Sequence, residues 1–414
     1  MKKSFLRITL LLSIINSLIF SGSYGQQLAF QLPEGSNKVR INFEQYNNLI
    51  VIPIVINGDV KLNFILDTGV QYPILTEKFF GDLLNFEYPR KLLIQGPGIQ
   101  DSITALVARG VSLELPGGVT SGVNQSFLVL EKDYLHLREN LGADVYGIIG
   151  FDIFSRFIVE INYEDNYLVL YEPKAYKEKK KYKKVPITLS GTKPYIPVTI
   201  SKEGTGTKTM PLMIDTGASH SLLINNPVEN SFLPEKNIPS IIGRGLGGEI
   251  YGHLGRVTKI QVNKFEFEDP IISFPLKGDY GSLAKKGSHN GTVGGEFFSR
   301  FNVVIDYHNQ YLYLKKNRFY SRDFEHDMSG LTIAANGEEF NSYRVIAVRY
   351  GSPAYEAGVR SDDIILSING LTYESMKLEG AISILRKQPG KKITLKIAEG
   401  EGSIKKTFEL ERFI

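Results

Sequence analysis

Asn63-Phe64-Ile65-Leu66-Asp67-Thr68-Gly69 returns 148 residues later as Pro211-Leu212-Met213-Ile214-Asp215-Thr216-Gly217. Each copy is an apolar run ending on an acid, a hydroxyl and a glycine. The first is the second arm of an expected β-hairpin, because residues 51–56 and 61–66 flank the turn Asn57-Gly58-Asp59. One Asp-Thr-Gly would arise by chance in about one chain in ten of this length. Two copies, each closing a strand pattern, call for another cause.

A second motif follows each copy. Gly147-Ile148-Ile149-Gly150-Phe151-Asp152-Ile153-Phe154-Ser155-Arg156-Phe157 is matched by Gly291-Thr292-Val293-Gly294-Gly295-Glu296-Phe297-Phe298-Ser299-Arg300-Phe301. Asp67 lies 83 residues before Gly150, and Asp215 lies 79 before Gly294. Each copy then enters a strand pattern, at 158–171 and 302–314, and holds a glycine-rich turn between its motifs, at 96–98 and 243–248. Signals in one order at near-equal spacing predict a duplicated β domain.

An acid at the end of a buried strand is costly unless it caps a turn or does chemistry. Two such loops related by pseudo-symmetry bring Asp67 and Asp215 side by side. Paired carboxylates cannot both ionise cheaply, so they share a proton and supply an acid and a base together. Thr68 and Thr216 offer hydroxyls to the opposite loop. Gly69 and Gly217 leave space beside the carboxylates. The dyad needs no metal or cofactor, and the six histidines are scattered, with His220 expected in a surface or turn role.

These motifs resemble the pepsin/retropepsin class of aspartic proteases, over roughly residues 38–316. The resemblance implies a mainly β chain with two pseudo-symmetric retropepsin-like β-barrel lobes and Asp67 and Asp215 as the catalytic pair. It also implies that Gly150 and Gly294 support that pair from behind, and that Gly96, Gly98, Gly245 and Gly247 belong to flaps closing over a peptide. Val70 and Ala218 depart from the pattern, because neither supplies the hydroxyl with which pepsins stabilise the charged carboxylate. A less acidic dyad, working in mild acid, is therefore expected. Val70 and the polar Thr292 also keep open a catalytically inactive, exported peptide-binding protein with a protease-like cleft.

From about Met328 the pattern changes. Gly351-Ser352-Pro353-Ala354 and Ala357-Gly358-Val359 precede Asp363-Ile364-Ile365 and Ile368-Asn369-Gly370, and residues 378–386 suit a short helix. This tail resembles a PDZ domain of the bacterial protease-associated kind. The resemblance implies a peptide added to a sheet edge, with its C-terminal carboxylate held by the backbone at Gly330, Leu331, Thr332 and Ile333 and the groove wall formed by Ala381 and Leu385.

The 414 residues suffice for these domains, and the absence of cysteine excludes disulfides, zinc–thiolate sites and cysteine nucleophiles. Residues 1–25 read as a secretory signal peptide: Lys2, Lys3 and Arg7 precede a greasy run ending in small residues. The net charge of +4 falls to +1 when those three cations leave, which argues against a nucleic-acid partner. The expected organisation is a first lobe at 26–172, a solvated lysine-rich linker at 173–184, a second lobe at 185–318 and a PDZ domain at 326–414, with residues 315–328 as a polar separator. The expected product is an exported monomer, periplasmic or extracellular, without a membrane span after cleavage. Its expected partners are a polypeptide substrate and a PDZ-bound peptide or protein C-terminus.

Overall fold

Asn57 and Gly58 adopt positive φ, 52° and 77°, and fold Leu49–Ile56 back onto Val60–Leu66. Leu49–Ile56 is wholly apolar and mostly buried, and Val60–Leu66 becomes so over its last three residues, Phe64 to Leu66. This is a computed structural model, and it describes residues 30–98, 102–123, 125–225, 232–276 and 290–414. The expected export signal lies outside the described residues.

The duplication holds strand for strand. The first lobe is a ten-stranded sheet in which Val60–Leu66 lies between its hairpin partner Leu49–Ile56 and the parallel strand Val145–Ile149. The second lobe repeats the order, with Gly206–Ile214 between Lys193–Lys202 and Gly291–Val293. Even the prolines correspond: Pro53 sits across from Asn63, and Pro197 sits across from Pro211, at the same step of the two hairpins. Each sheet ends in a long hairpin, Arg90–Ile94 with Ile103–Val111 and Asn237–Gly245 with Gly248–Arg256.

A third sheet joins the lobes. Its six strands run Lys38–Asn42, Tyr167–Tyr171, Ile158–Asn162, Phe301–Asp306, Tyr311–Lys316 and Lys183–Pro186. Three come from each half, and the seam is the antiparallel pair Ile158–Asn162 and Phe301–Asp306. One apolar cluster runs through both lobes.

Two expected spacers are packed instead. In 173–184, Tyr176 and Tyr182 lie against Ile158, Val304 and Tyr313. The Lys179 ammonium reaches the buried Glu160 carboxylate at 2.6 Å, and Tyr182 donates to the same group at 3.0 Å. Two tyrosines supply the anchor that the lysine count obscured. In 315–328, Tyr320 packs tilted and Phe324 edge-on against Phe267, while His326 and Met328 are buried.

The C-terminal domain is a five-stranded sheet in the order Leu331–Asn336, Ser342–Val348, Ile364–Ile368, Lys392–Glu399 and Gly402–Glu409, with its own core. Ser352 caps the short helix Pro353–Glu356 by accepting from the Tyr355 N–H. The helix Tyr373–Leu385 is interrupted at Lys377, where φ is 55°. Among the described residues no helix is long and apolar enough to cross a membrane.

Candidate active site

Asp67 and Asp215 stand at the ends of equivalent strands, each fixed by the strand of the second motif. The Asp67 N–H donates to the Ile149 carbonyl at 2.8 Å, and the Asp215 N–H donates to that of Val293 at 2.9 Å. Gly150 and Gly294 let these strands pass directly behind the acidic loops. A Cβ on Gly150 would lie 1.7 Å from the Asp67 carbonyl oxygen, and one on Gly294 would lie 2.2 Å from that of His220.

The two loops clasp one another across the pseudo-two-fold. The Thr68 N–H donates to Thr216 Oγ1 and the Thr216 N–H donates to Thr68 Oγ1, both at 3.1 Å. Thr68 Oγ1 in turn donates to the Ile214 carbonyl at 2.7 Å, and Thr216 Oγ1 donates to that of Leu66 at 2.8 Å. Both threonines are 1% exposed, so these four bonds form away from water and leave no orphan there. They tie the two acid-bearing loops to each other.

The two acids are part-buried. Burial pushes both above the usual aspartate range. Asp67 is pulled back by the Gly69 N–H, which donates to its Oδ1 at 2.6 Å, by Asp215, and by the Gly217 N–H. Asp215 is raised well above its ordinary value by burial and then by the Asp67 charge. Two acids this close disfavour double ionisation, so the pair titrates as a unit. Val70 itself packs against the small apolar cluster of Ile74, Ile103, Ala105 and Leu130.

Two features escaped the motif reading. Lys193 lowers the pKa of both acids through its charge. Tyr195 pairs with Met213, and counting on two residues brings Lys193 abreast of Asp215. The equivalent place beside Asp67, counted from Val51 with Ile65, belongs to Leu49. No repeat signal could reveal a residue present in only one half. The second feature is His220. It is half-buried in the bend that follows the Asp215 loop, its Nε2 lies 2.7 Å from Thr292 Oγ1, and burial pushes the imidazole down to about 4. The pair explains the polar Thr292 of the second motif.

The glycine-rich turns meet. The Gly247 N–H donates to the Pro97 carbonyl at 2.9 Å. A Cβ on Gly98 would lie 2.2 Å from the Gly247 carbonyl carbon, and one on Gly245 would lie 2.2 Å from the Pro97 carbonyl oxygen. A Cβ on Gly96 would lie 2.6 Å from Leu246 Cβ. Each lobe thus contributes one hairpin to a shared contact; residues 99–101 lie outside the described residues.

The PDZ groove differs from expectation. Ala381 and Leu385 are 0% and 2% exposed and belong to the domain core, not to an open wall. Leu331 and Ile333 join the same core, with Thr332 part-buried between them. The N–H groups of Gly330 and Leu331 already have partners, Asp327 Oδ2 at 2.5 Å and Ser329 Oγ at 3.1 Å.

Comparison with known proteins agrees with this architecture. A family described as aspartyl protease matches residues 196–297, which include Asp215 and Gly294, and the PDZ domain family matches residues 344–399. A carboxyl-terminal-processing protease of Synechocystis sp. is 31% identical over 87 residues, 21% of this chain. The chain spans 20% of that relative's length. Strand duplication extends the second half's likeness to the first, and the chain thus joins a pepsin- and retropepsin-like aspartyl-protease fold to a PDZ domain.

Proposed function

We propose that the chain is an aspartic-type endopeptidase in which Asp67 and Asp215 activate a water. The observation that carries this reading is the reciprocal threonine clasp that joins the Asp67 and Asp215 loops where the lobes meet. Charged Asp67 takes a proton from a water between the two acids as its oxygen bonds to the peptide carbonyl carbon. Asp215 gives its proton to the carbonyl oxygen, producing a neutral tetrahedral diol. As the C–N bond breaks, a proton passes to the leaving nitrogen, the carbonyl re-forms, and the pair again holds one proton. The two acids titrate as one unit in any rate profile. Lys193 favours the charged state of the pair, and the meeting hairpins would close over an extended polypeptide.

The test compares wild type with Asp67→Asn and Asp215→Asn on a mixed peptide library across pH. Both variants should lose nearly all cleavage. Equal cleavage by all three proteins would reject the mechanism. Peptide binding without cleavage by wild type would favour the inactive binding protein. The activity is proposed to act outside the cytoplasm, following the export signal read in residues 1–25; cell fractionation tests this.

A further inference from the structure

The edge strand of the PDZ sheet is already covered. In the first lobe, the helix Leu137–Leu141 packs against Leu331–Asn336. A terminal strand normally leaves its outer flank free for an added strand. Here Ile333, Ala334 and Ala335 are consecutively buried, which on a strand means that both faces are covered. Ile333 and Ala335 face the PDZ core, so Ala334 takes its cover from outside it.

The seat is close-fitting. Tyr373 Oη donates to the Gly142 carbonyl at 3.1 Å. A Cβ on Gly142 would lie 2.3 Å from that phenol oxygen and 2.9 Å from Leu378 Cβ, so first-lobe backbone is pressed onto the PDZ helix. Arg138 donates to the Glu338 carbonyl at 3.1 Å, and its guanidinium lies 5.0 Å from the centre of the Phe340 ring. Beyond this contact a cavity of about 320 Å³ separates Asn48, Glu296 and Arg300 from Glu379 and Arg386. The expected carboxylate loop is likewise filled from within, because the Asp327 carboxylate accepts from the N–H groups of Ser329 at 3.2 Å and Gly330 at 2.5 Å.

We propose that the peptide-binding side of the PDZ domain is an intramolecular docking surface whose occupant is the segment 137–142 of the first lobe. Asp327 stands in for a ligand carboxylate and the docked segment for the peptide. The consequence reaches the dyad by a short route. Strand Val145–Ile149 begins three residues after Gly142, pairs with Val60–Leu66, and ends at the carbonyl that fixes the Asp67 N–H. Docking thus braces the support of Asp67, and an extended peptide competing for Leu331–Asn336 would release it. The docking does not depend on the peptidase reading, and its test does not use cleavage.

The experiment measures amide exchange by mass spectrometry in the full chain, comparing wild type with the double variant Arg138→Ala/Tyr373→Phe. Exchange at 331–336 and 145–149 should rise about tenfold or more, while the far strand Lys392–Glu399 stays protected and shows that the domain is folded. A fluorescein-labelled peptide library with a free valine carboxy terminus should bind the variant at least about tenfold tighter than wild type. Gly142→Leu, which drives a side chain into the contact, should act in the same direction and serves where the double variant loses protection at Lys392–Glu399. Unchanged exchange at 331–336 in a folded variant, or wild type binding the library as tightly as the variants, would overturn the proposal.

Discussion

Alanine at Gly217 and at Gly69 should have very different consequences, although the two glycines hold the same place in the repeated motif. A Cβ on Gly217 would fall 2.2 Å from Asp67 Cγ and 2.4 Å from its Oδ2. Ordinary contact begins at 3.4 Å, so the Asp67 carboxylate would have to retreat by about 1.2 Å. A Cβ on Gly69 meets Asp67 Oδ1 at 3.1 Å and Asp215 Oδ1 at 3.6 Å, a shortfall of only about 0.3 Å. Neither position has a positive φ, so backbone strain does not enter. Displacing a reacting group by about 1 Å costs on the order of a hundredfold in rate, or about 2.7 kcal/mol of transition-state stabilisation. Gly217→Ala should therefore lower kcat/KM by roughly a hundredfold, whereas Gly69→Ala should lower it by no more than about fivefold. The assay is initial-rate cleavage of one library-selected peptide at its optimum pH, with thermal unfolding as the control for folding. Equal losses in two folded variants, or a Gly217→Ala protein within about threefold of wild type, would refute the packing argument.

Thr68→Val removes one acceptor and one donor from a buried site, leaving the Thr216 N–H and the Ile214 carbonyl unpaired, and should cost about 2–4 kcal/mol in urea unfolding; a loss under about 1 kcal/mol would contradict the clasp. Lys193→Met removes the cation that holds both carboxyls down, so the pH–rate profile should move upward by roughly one unit while Lys193→Arg leaves it in place; an unmoved profile in the methionine variant would show that Lys193 does not act on the dyad. His220 and His326 are pushed down to about 4 and about 3, so the unfolded chain takes up their protons first as acid is added. The stability they support should be complete above about pH 6.5 and fall toward pH 4, by at most about 1.4 kcal/mol per unit for each; denaturant titrations of His326→Gln should show a shallower fall than wild type.

The dyad was legible because it is written twice. Asp67, Thr68, Gly69 and Gly150 each have a counterpart, and duplication turns a weak tripeptide into a fold. What stayed hidden lacks a counterpart or a fixed spacing. The counterpart of Lys193 in the first lobe is Leu49, and His220 meets Thr292, 72 positions along the chain, only through folding. Tyr176 and Tyr182 were masked by seven lysines in 172–184, although two aromatics are enough to seat a loop. Ala381 and Leu385 lie on the helix face that a small domain needs for its own core. Asp327-Met328-Ser329-Gly330 was readable as an Asx turn, which would have warned that the neighbouring N–H groups are already occupied.

The six-stranded sheet has a consequence for how the chain is made. Its middle seam pairs Ile158–Asn162 with Phe301–Asp306, so a growing chain that has completed only its first half presents a wholly buried-type strand as a bare edge. That edge must wait for more than a hundred further residues before its partner exists. A first half released alone would be prone to pairing with another copy of itself, and its unpaired edge is a natural place for a holding chaperone to bind until the second half arrives.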